Sequence, residues 1–245
     1  MAYRELPPPP ELQSHVACLW VKTGASGRIL PDGCADLVWT GGDLIVAGPS
    51  TSAFDAALAP AATKLGVRFK VGAAGPALGL PASELVDRSP RLTDVWNGAG
   101  HELVEQVGEA GSVGARLRAM ARALAARLPD SEPIDPVVRG AVLGVAADPR
   151  VRMAGLTDGL GERQLRRRFD AAVGYAPKTL AGVLRLQRFL ELSRAGETSL
   201  AQMAFGAGFS DQAHLTRECS RLTGLTPAAL LAAGVWPAGE PRLTI

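Results

Sequence analysis

At 245 residues with 47% hydrophobic content, the chain is longer than an ordinary single domain and apolar enough for two cores. A formal net charge of +2 is too small to attract nucleic acid by itself, and Cys18, Cys34 and Cys219, an odd count at irregular spacing, argue against a disulfide framework. No apolar run reaches membrane-spanning length, and no basic segment followed by an apolar run opens the chain, so a cytoplasmic protein without a membrane partner is expected.

Residues 1–98 are short apolar segments separated by Gly, Pro, Asp and Ser, the pattern of a β-rich domain. Strands are expected at 16–22, 28–30, 35–40, 43–47 and 64–69, with turns at Thr23-Gly24, Pro31-Asp32-Gly33, Gly41-Gly42-Asp43 and Gly48-Pro49. Gly41-Gly42 between Val38-Trp39 and Leu44-Ile45 suits a hairpin. Such strand density suggests a small barrel or sandwich. Short segments at 84–87 and 92–96 lead into two helical stretches, 100–109 and 113–128. The second aligns Leu117, Met120, Ala121, Leu124 and Leu128, with Arg116, Arg118, Arg122 and Arg127 mostly outside. That stripe is either a dimer seam or a face that packs on the barrel. Residues 129–133, Pro-Asp-Ser-Glu-Pro, form a polar linker.

The C-terminal part repeats one plan twice. In its second copy, Thr198-Ser199 caps a helix with Leu200, Met203 and Ala204 on one face; Gly206 and Gly208 bracket a turn, Phe209 plugs the corner and Ser210 caps the next helix. Leu215, Cys219 and Leu222 then face inward, leaving Gln212, Ala213, Thr216 and Arg217 on the outer face of the first two turns. A recognition helix presents its N-terminal half to base edges in this way. In the first copy, Val151, Met153, Ala154 and Leu156 supply the supporting helix, Gly159 and Gly161 the turn, and Leu165, Phe169 and Val173 the inward face, with Arg163, Arg166 and Arg167 outward. Arginine suits bidentate contact with guanine or phosphate. Each copy closes in Gly-x-x-Pro, at Gly174-Tyr175-Ala176-Pro177 and Gly224-Leu225-Thr226-Pro227. One long helix over 179–195 joins the copies and would fix their spacing. The basic excess lies in the same half: residues 135–245 hold fourteen Lys and Arg against ten Asp and Glu, whereas residues 1–134 hold twelve against fourteen. The difference is small, so phosphate attraction rests on local placement, as in the run from Arg163 to Arg168.

On these motifs, residues 135–232 resemble the DNA-binding domain of the AraC/XylS family of bacterial transcription regulators, most clearly at Gly208-Phe209-Ser210-Asp211-Gln212-Ala213-His214-Leu215-Thr216-Arg217. Departures are Gly161, where a Ser cap is common, and Cys219-Ser220 in place of a frequent Phe-Arg or Phe-Lys pair. The resemblance implies an α+β architecture: a β-rich, cupin-like barrel over 1–98 that senses an effector, a helical linker and dimerisation region over 99–134, an all-α tandem helix-turn-helix domain over 135–235, and a tail over 236–245. It implies double-stranded operator DNA as partner, a homodimer, RNA polymerase contact and a bias toward activation. The DNA-contacting candidates are Arg163, Gln164, Arg166 and Arg167 in the first unit and Gln212, His214, Thr216 and Arg217 in the second. The stretches 30–39 and 66–69 also resemble an N-terminal domain type common in actinobacterial members of that family.

A sensor needs a pocket, and Trp20, Cys34, Trp39, Arg68 and Trp96 are the candidates for its lining. Aromatic walls with one cation suit a small organic anion or an aromatic metabolite; an interior tryptophan is, however, usually core, and Arg68 also reads as a partner of Asp32 or Asp36. Cys34 follows a turn that could expose it, as a covalent switch at Cys34 or Cys18 requires, whereas nearby carboxylates would disfavour a thiolate. A cysteine- or metal-dependent, alkylation-responsive enzyme targeted to DNA is the alternative class. It wants clustered ligands, yet His15 and His101 stand alone, and no nucleophile elbow, phosphate-binding Gly loop or Cys-rich zinc cluster occurs. The expectation is therefore no enzyme, no cofactor and no metal.

Overall fold

In the computed structural model, residues 2–24, 27–56, 63–128, 133–156 and 159–234 are described. The fold is α+β, with a β-rich N-terminal domain and an all-α C-terminal domain holding two helix-turn-helix units. Among the described residues, seven strands, β1 (Ala2–Leu6), β2 (Val16–Thr23), β3 (Gly27–Ile29), β4 (Asp36–Trp39), β5 (Leu44–Ala47), β6 (Phe54–Ala56) and β7 (Thr63–Phe69), form a five-stranded sheet in the order β1-β2-β7-β4-β5 and a two-stranded ribbon, β3-β6. Every pairing is antiparallel. β4 and β5 make the hairpin expected at Gly41-Gly42. β1 and β6 have no counterpart among the expected strands.

Alternation along the strands gives the sheet two faces. Leu19 of β2, Leu37 and Trp39 of β4, Leu44 and Val46 of β5, and Leu65, Val67 and Phe69 of β7 point to one side. They are buried with α1 (Ala74–Leu78), α2 (Leu92–Trp96), α3 (Gly98–Glu109) and α4 (Val113–Arg127) in one core. Burial of each such Leu or Val side chain contributes roughly 1.5–3 kcal/mol. The α4 stripe of Leu117, Met120, Ala121 and Leu124 is spent here, against the sheet, and so is not a free dimer seam. The linker expected at 129–133 and the tail at 236–245 fall largely or wholly outside the described residues.

The opposite face carries Cys18, Trp20 and Lys22 on β2, Lys64, Gly66 and Arg68 on β7, and Asp36 and Val38 on β4. They meet in register as Cys18 opposite Arg68 opposite Asp36, Trp20 opposite Gly66 opposite Val38, and Lys22 opposite Lys64. Gly66 is required by its neighbour: a Cβ there would lie 2.6 Å from the Trp20 ring, so its absence lets the indole lie flat across the sheet. The β3-β6 ribbon stands over this face.

The C-terminal domain comprises α5 (Pro136–Ala147), α6 (Glu162–Val173), α7 (Pro177–Arg194), α8 (Leu200–Ala207), α9 (Gln212–Thr223) and α10 (Pro227–Ala232). Asp135 caps α5, accepting from the Val137 and Val138 amides. The supporting element before α6 is a 3-10 turn, Met153–Leu156, where the sequence suggested a helix. Two cores form along α7, one with α5 and α6 and one with α8 and α9. The units are tied directly as well: Arg150 Nη2 donates to the Phe205 carbonyl at 2.7 Å with its guanidinium 5.0 Å from that ring, and Arg185 Nη1 donates to the Pro149 carbonyl at 2.7 Å.

Both helical cores also take residues from the N-terminal domain. Leu30 is buried with α8 and α9, while Cys34 and Val71 are buried with α5 and α6. The Gln187 side chain of α7 donates to the Pro31 carbonyl, and Ala53 N donates to the Leu222 carbonyl at 2.7 Å. Arg28 donates to the Thr223 carbonyl at the end of α9 through Nε (3.2 Å) and Nη2 (2.8 Å). Gly33, at φ 85°, brings this segment against α7; a Cβ there would stand 3.0 Å from Leu180 Cδ1.

Candidate DNA-reading surface and ligand pocket

α8 starts at Ser199, whose side chain accepts from Gln202 N, and ends at Gly208; Phe209 is buried in the corner. The cap of α9 is Asp211 rather than the expected Ser210: Asp211 Oδ1 accepts from His214 N, and that bond holds the carboxyl below its usual range. Ser210 instead hydrogen-bonds sideways to Asp211 and to His214 Nδ1, at 3.1 Å each. Leu215, Cys219 and Leu222 face inward. Gln212, Ala213 and Arg217 are exposed, and Thr216 and His214 are half-buried. Thr216 Oγ1 donates back to the Gln212 carbonyl at 2.9 Å, and the His214 ring stands edge-on to Phe209, 5.3 Å between centroids.

On α6, Leu165, Phe169 and Val173 are buried, while Arg163, Gln164, Arg166 and Arg167 are exposed and line one open groove. These arginines make no ion pair among the described residues. Arg168 does not join them, because it turns back to pair with Asp135 at 3.4 Å. Two such helices, each buried along one side, exposed along its first turns and locked to the other through α7 and Arg150, have the geometry of a DNA reader.

The face of the sheet beneath the ribbon encloses a cavity of about 130 Å³. Three of the five residues expected from sequence, Trp20, Cys34 and Arg68, line it. Trp39 and Trp96 do not. Trp39 alternates with Val38 and so points to the opposite, helix-covered face, where Arg116 lies 5.9 Å from its ring. Trp96, the last residue of α2, is buried and donates Nε1 to the Leu78 carbonyl at 3.1 Å beneath Arg127. Sequence reasoning missed Tyr3, Lys22, Phe54 and Lys64, which share the cavity with Trp20. The signal for the lysines was their β-alternation with Trp20 and Arg68.

One end of the cavity is electrostatically closed. Arg68 pairs with Asp32 at 3.3 Å and with Asp36 at 3.2 Å, and Trp20 Nε1 donates to Asp36 Oδ1 at 2.7 Å. Burial nevertheless pushes the Asp32 carboxyl above its ordinary range, against the pull of Arg68.

The three thiols are buried. Desolvation pushes Cys18 up to about 12 and Cys34 well above its ordinary value, with Asp32 adding to the effect at Cys34; Cys219 is raised by burial too. Thiolate is the reactive form, so the folded chain is expected to resist iodoacetamide at pH 7.5 and to take up label at all three sites only in denaturant, as read by intact mass. Rapid single labelling of native protein would restore the covalent-switch reading. Among the described residues, no group of three or more His, Cys, Asp or Glu is placed to hold a metal ion, and no helix is long and apolar enough to cross a membrane.

Fold and surface define the class: a DNA-binding protein with tandem helix-turn-helix units. The family model that matches the C-terminal part agrees. Residues 158–233 match the family model described as a helix-turn-helix domain, and residues 4–91 match one described as a domain of unknown function (DUF6597). No curated protein matches the chain in sequence. Similar solved structures are crystal structures of ToxT from Vibrio cholerae. The structure from O395 is 11% identical, with TM-score 0.45, over 86% of this chain and 97% of that one. An apo variant from strain SCE256 is 13% identical, with TM-score 0.44, over 94% and 96%. The unsaturated fatty acid-bound wild type from that strain is 12% identical, with TM-score 0.43, over 86% and 90%. Residues 158–233 of this chain are a helix-turn-helix domain.

Proposed function

We propose that the chain is a one-component regulator in which residues 1–98 sense a small molecule, residues 99–134 complete the sensor and residues 135–235 read operator DNA through α6 and α9. The observation that carries this reading is the segment from Arg28 to Cys34. Ile29, Leu30, Asp32 and Cys34 line the cavity, and the same segment supplies Leu30 to the core of the second unit, Cys34 to that of the first and the Pro31 carbonyl to α7. Ligand bound in the cavity would therefore act on the wall that seats both reading helices, shifting the population competent for DNA. Support for an activator that contacts RNA polymerase as a homodimer comes from the resemblance of the C-terminal domain to the AraC/XylS family; with the α4 stripe buried, a dimer would form through another surface.

Arg163, Gln164, Arg166 and Arg167 of the first unit and Gln212, His214, Thr216 and Arg217 of the second are the proposed contacts to bases and phosphates. A footprint on DNA upstream of the chain's own gene, with excess competitor, tests the reading. Protected major-groove blocks about one turn, roughly 34 Å, apart are expected. Arg163→Ala and Arg217→Ala are each expected to weaken operator binding by about 1–3 kcal/mol at matched salt with the melting temperature unchanged. Wild-type affinity in both variants would remove these side chains from the interface.

A further inference from the structure

The far end of the cavity differs from the end closed by Arg68. Lys22 is 8% exposed and lies directly opposite Lys64 across the β2-β7 pair. Both line the cavity, and neither ammonium group has a hydrogen bond or ion pair among the described residues. Desolvation lowers the pKa of both, and the charge of Lys64 lowers that of Lys22 further. Like charges directly opposite on a sheet destabilise it, and a desolvated cation without a counter-ion carries a further penalty. The Arg68 end is different in kind. Its guanidinium is already met by two carboxylates, so the cation expected from sequence to hold an anion is occupied, and the cation left open is the lysine pair.

Between the two ends the walls are apolar, with Trp20, Val38 and Ile45 on the sheet and Ile29 and Phe54 on the ribbon. The volume of about 130 Å³ is close to that of an engineered apolar cavity, roughly 150 Å³, that takes benzene. A charged end, an apolar middle and room for about one ring describe the ligand.

We propose that this cavity binds a small amphipathic carboxylate, one aromatic ring or a short acyl chain in size, with its carboxylate bridging Lys22 and Lys64 and its apolar body against Trp20 and Phe54. The proposal rests on the sensor reading of the N-terminal domain and names the ligand class for it. An anion at the lysine pair offsets both the repulsion and the desolvation penalty, so occupancy stabilises the sheet beneath the Arg28–Cys34 wall.

The test uses the full-length chain, melted and titrated by calorimetry with benzoate, phenylacetate and hexanoate, each beside its uncharged amide, and with inorganic phosphate. At least one carboxylate should bind and raise the melting temperature while its amide and phosphate do not, and Lys22→Met and Lys64→Met should each weaken that binding tenfold or more. A second readout needs no ligand: Lys22→Met should melt at or above the wild-type temperature, because it keeps the apolar stem and removes an uncompensated charge. Equal binding of acid and amide, equal stabilisation by phosphate, no binding of any carboxylate at millimolar concentration, or a lowered melting temperature in ligand-free Lys22→Met would each overturn the proposal. The wild-type DNA footprint reads the regulator assignment separately, so intact protection alongside any of these results locates the failure in the ligand class alone.

Discussion

Arg68→Met is expected to destabilise the chain by about 3–5 kcal/mol at pH 7, because it leaves the carboxylates of Asp32 and Asp36 inside the cavity wall without their cation. The methionine fills the space of the stem, so the loss is electrostatic. Its sign with pH follows from Asp32. Burial already raises that carboxyl in the folded chain, and removing Arg68 raises it further. A folded-state pKa above the unfolded value means that the unfolded chain releases its proton first, so stability falls as pH climbs above about 4, the ordinary carboxylate value. The deficit relative to wild type should therefore be largest near neutrality and shrink toward pH 4, as read by denaturant midpoints at the two pH values. A deficit of the same size at both would assign the loss to packing.

Phe209→Ala should cost about 3–5 kcal/mol, for a different reason. The ring is 1% exposed at the corner between α8 and α9, in the core shared with Met203, Leu215 and Leu222, and it carries the edge of His214 and the guanidinium of Arg185 at 5.6 Å. The cavity left behind loosens the angle between supporting and reading helix, so footprint protection should fade at the block read by α9 before that read by α6. Phe209→Leu, nearer in volume, should cost less than about 1.5 kcal/mol and keep both blocks. Full protection and unchanged stability in the alanine variant would mean that the corner is held by something other than this ring.

The two reading helices were legible because each is short, amphipathic and bracketed by glycine, so that Leu165, Phe169, Leu215 and Leu222 declare a buried face within a dozen residues. The α9 cap was misplaced by one residue, since Ser210 and Asp211 are both good capping residues in sequence and only backbone geometry chooses between them. β1 and β6 escaped because one is polar at Arg4 and Glu5 and the other is three residues long; pairing with β2 and β3, not local pattern, makes them strands. Trp39 and Trp96 were assigned to the cavity for being aromatic, although alternation with Val38 already put Trp39 on the other face. The pairing of Lys22 with Lys64 was out of reach, since it depends on the register of two strands separated by most of the domain.

The shared wall from Arg28 to Cys34 has a consequence for how interchangeable the halves of this protein are. A reader joined to its sensor by a flexible tether can be exchanged for another during evolution or engineering with little loss. Here Leu30, Cys34 and Val71 complete helical cores that belong to the other half, so separating the halves exposes apolar surface on both and leaves α7 without the Pro31 carbonyl that meets Gln187. Sensor and reader are expected to melt in one cooperative transition, and to have drifted in sequence together, each constraining the substitutions the other can accept.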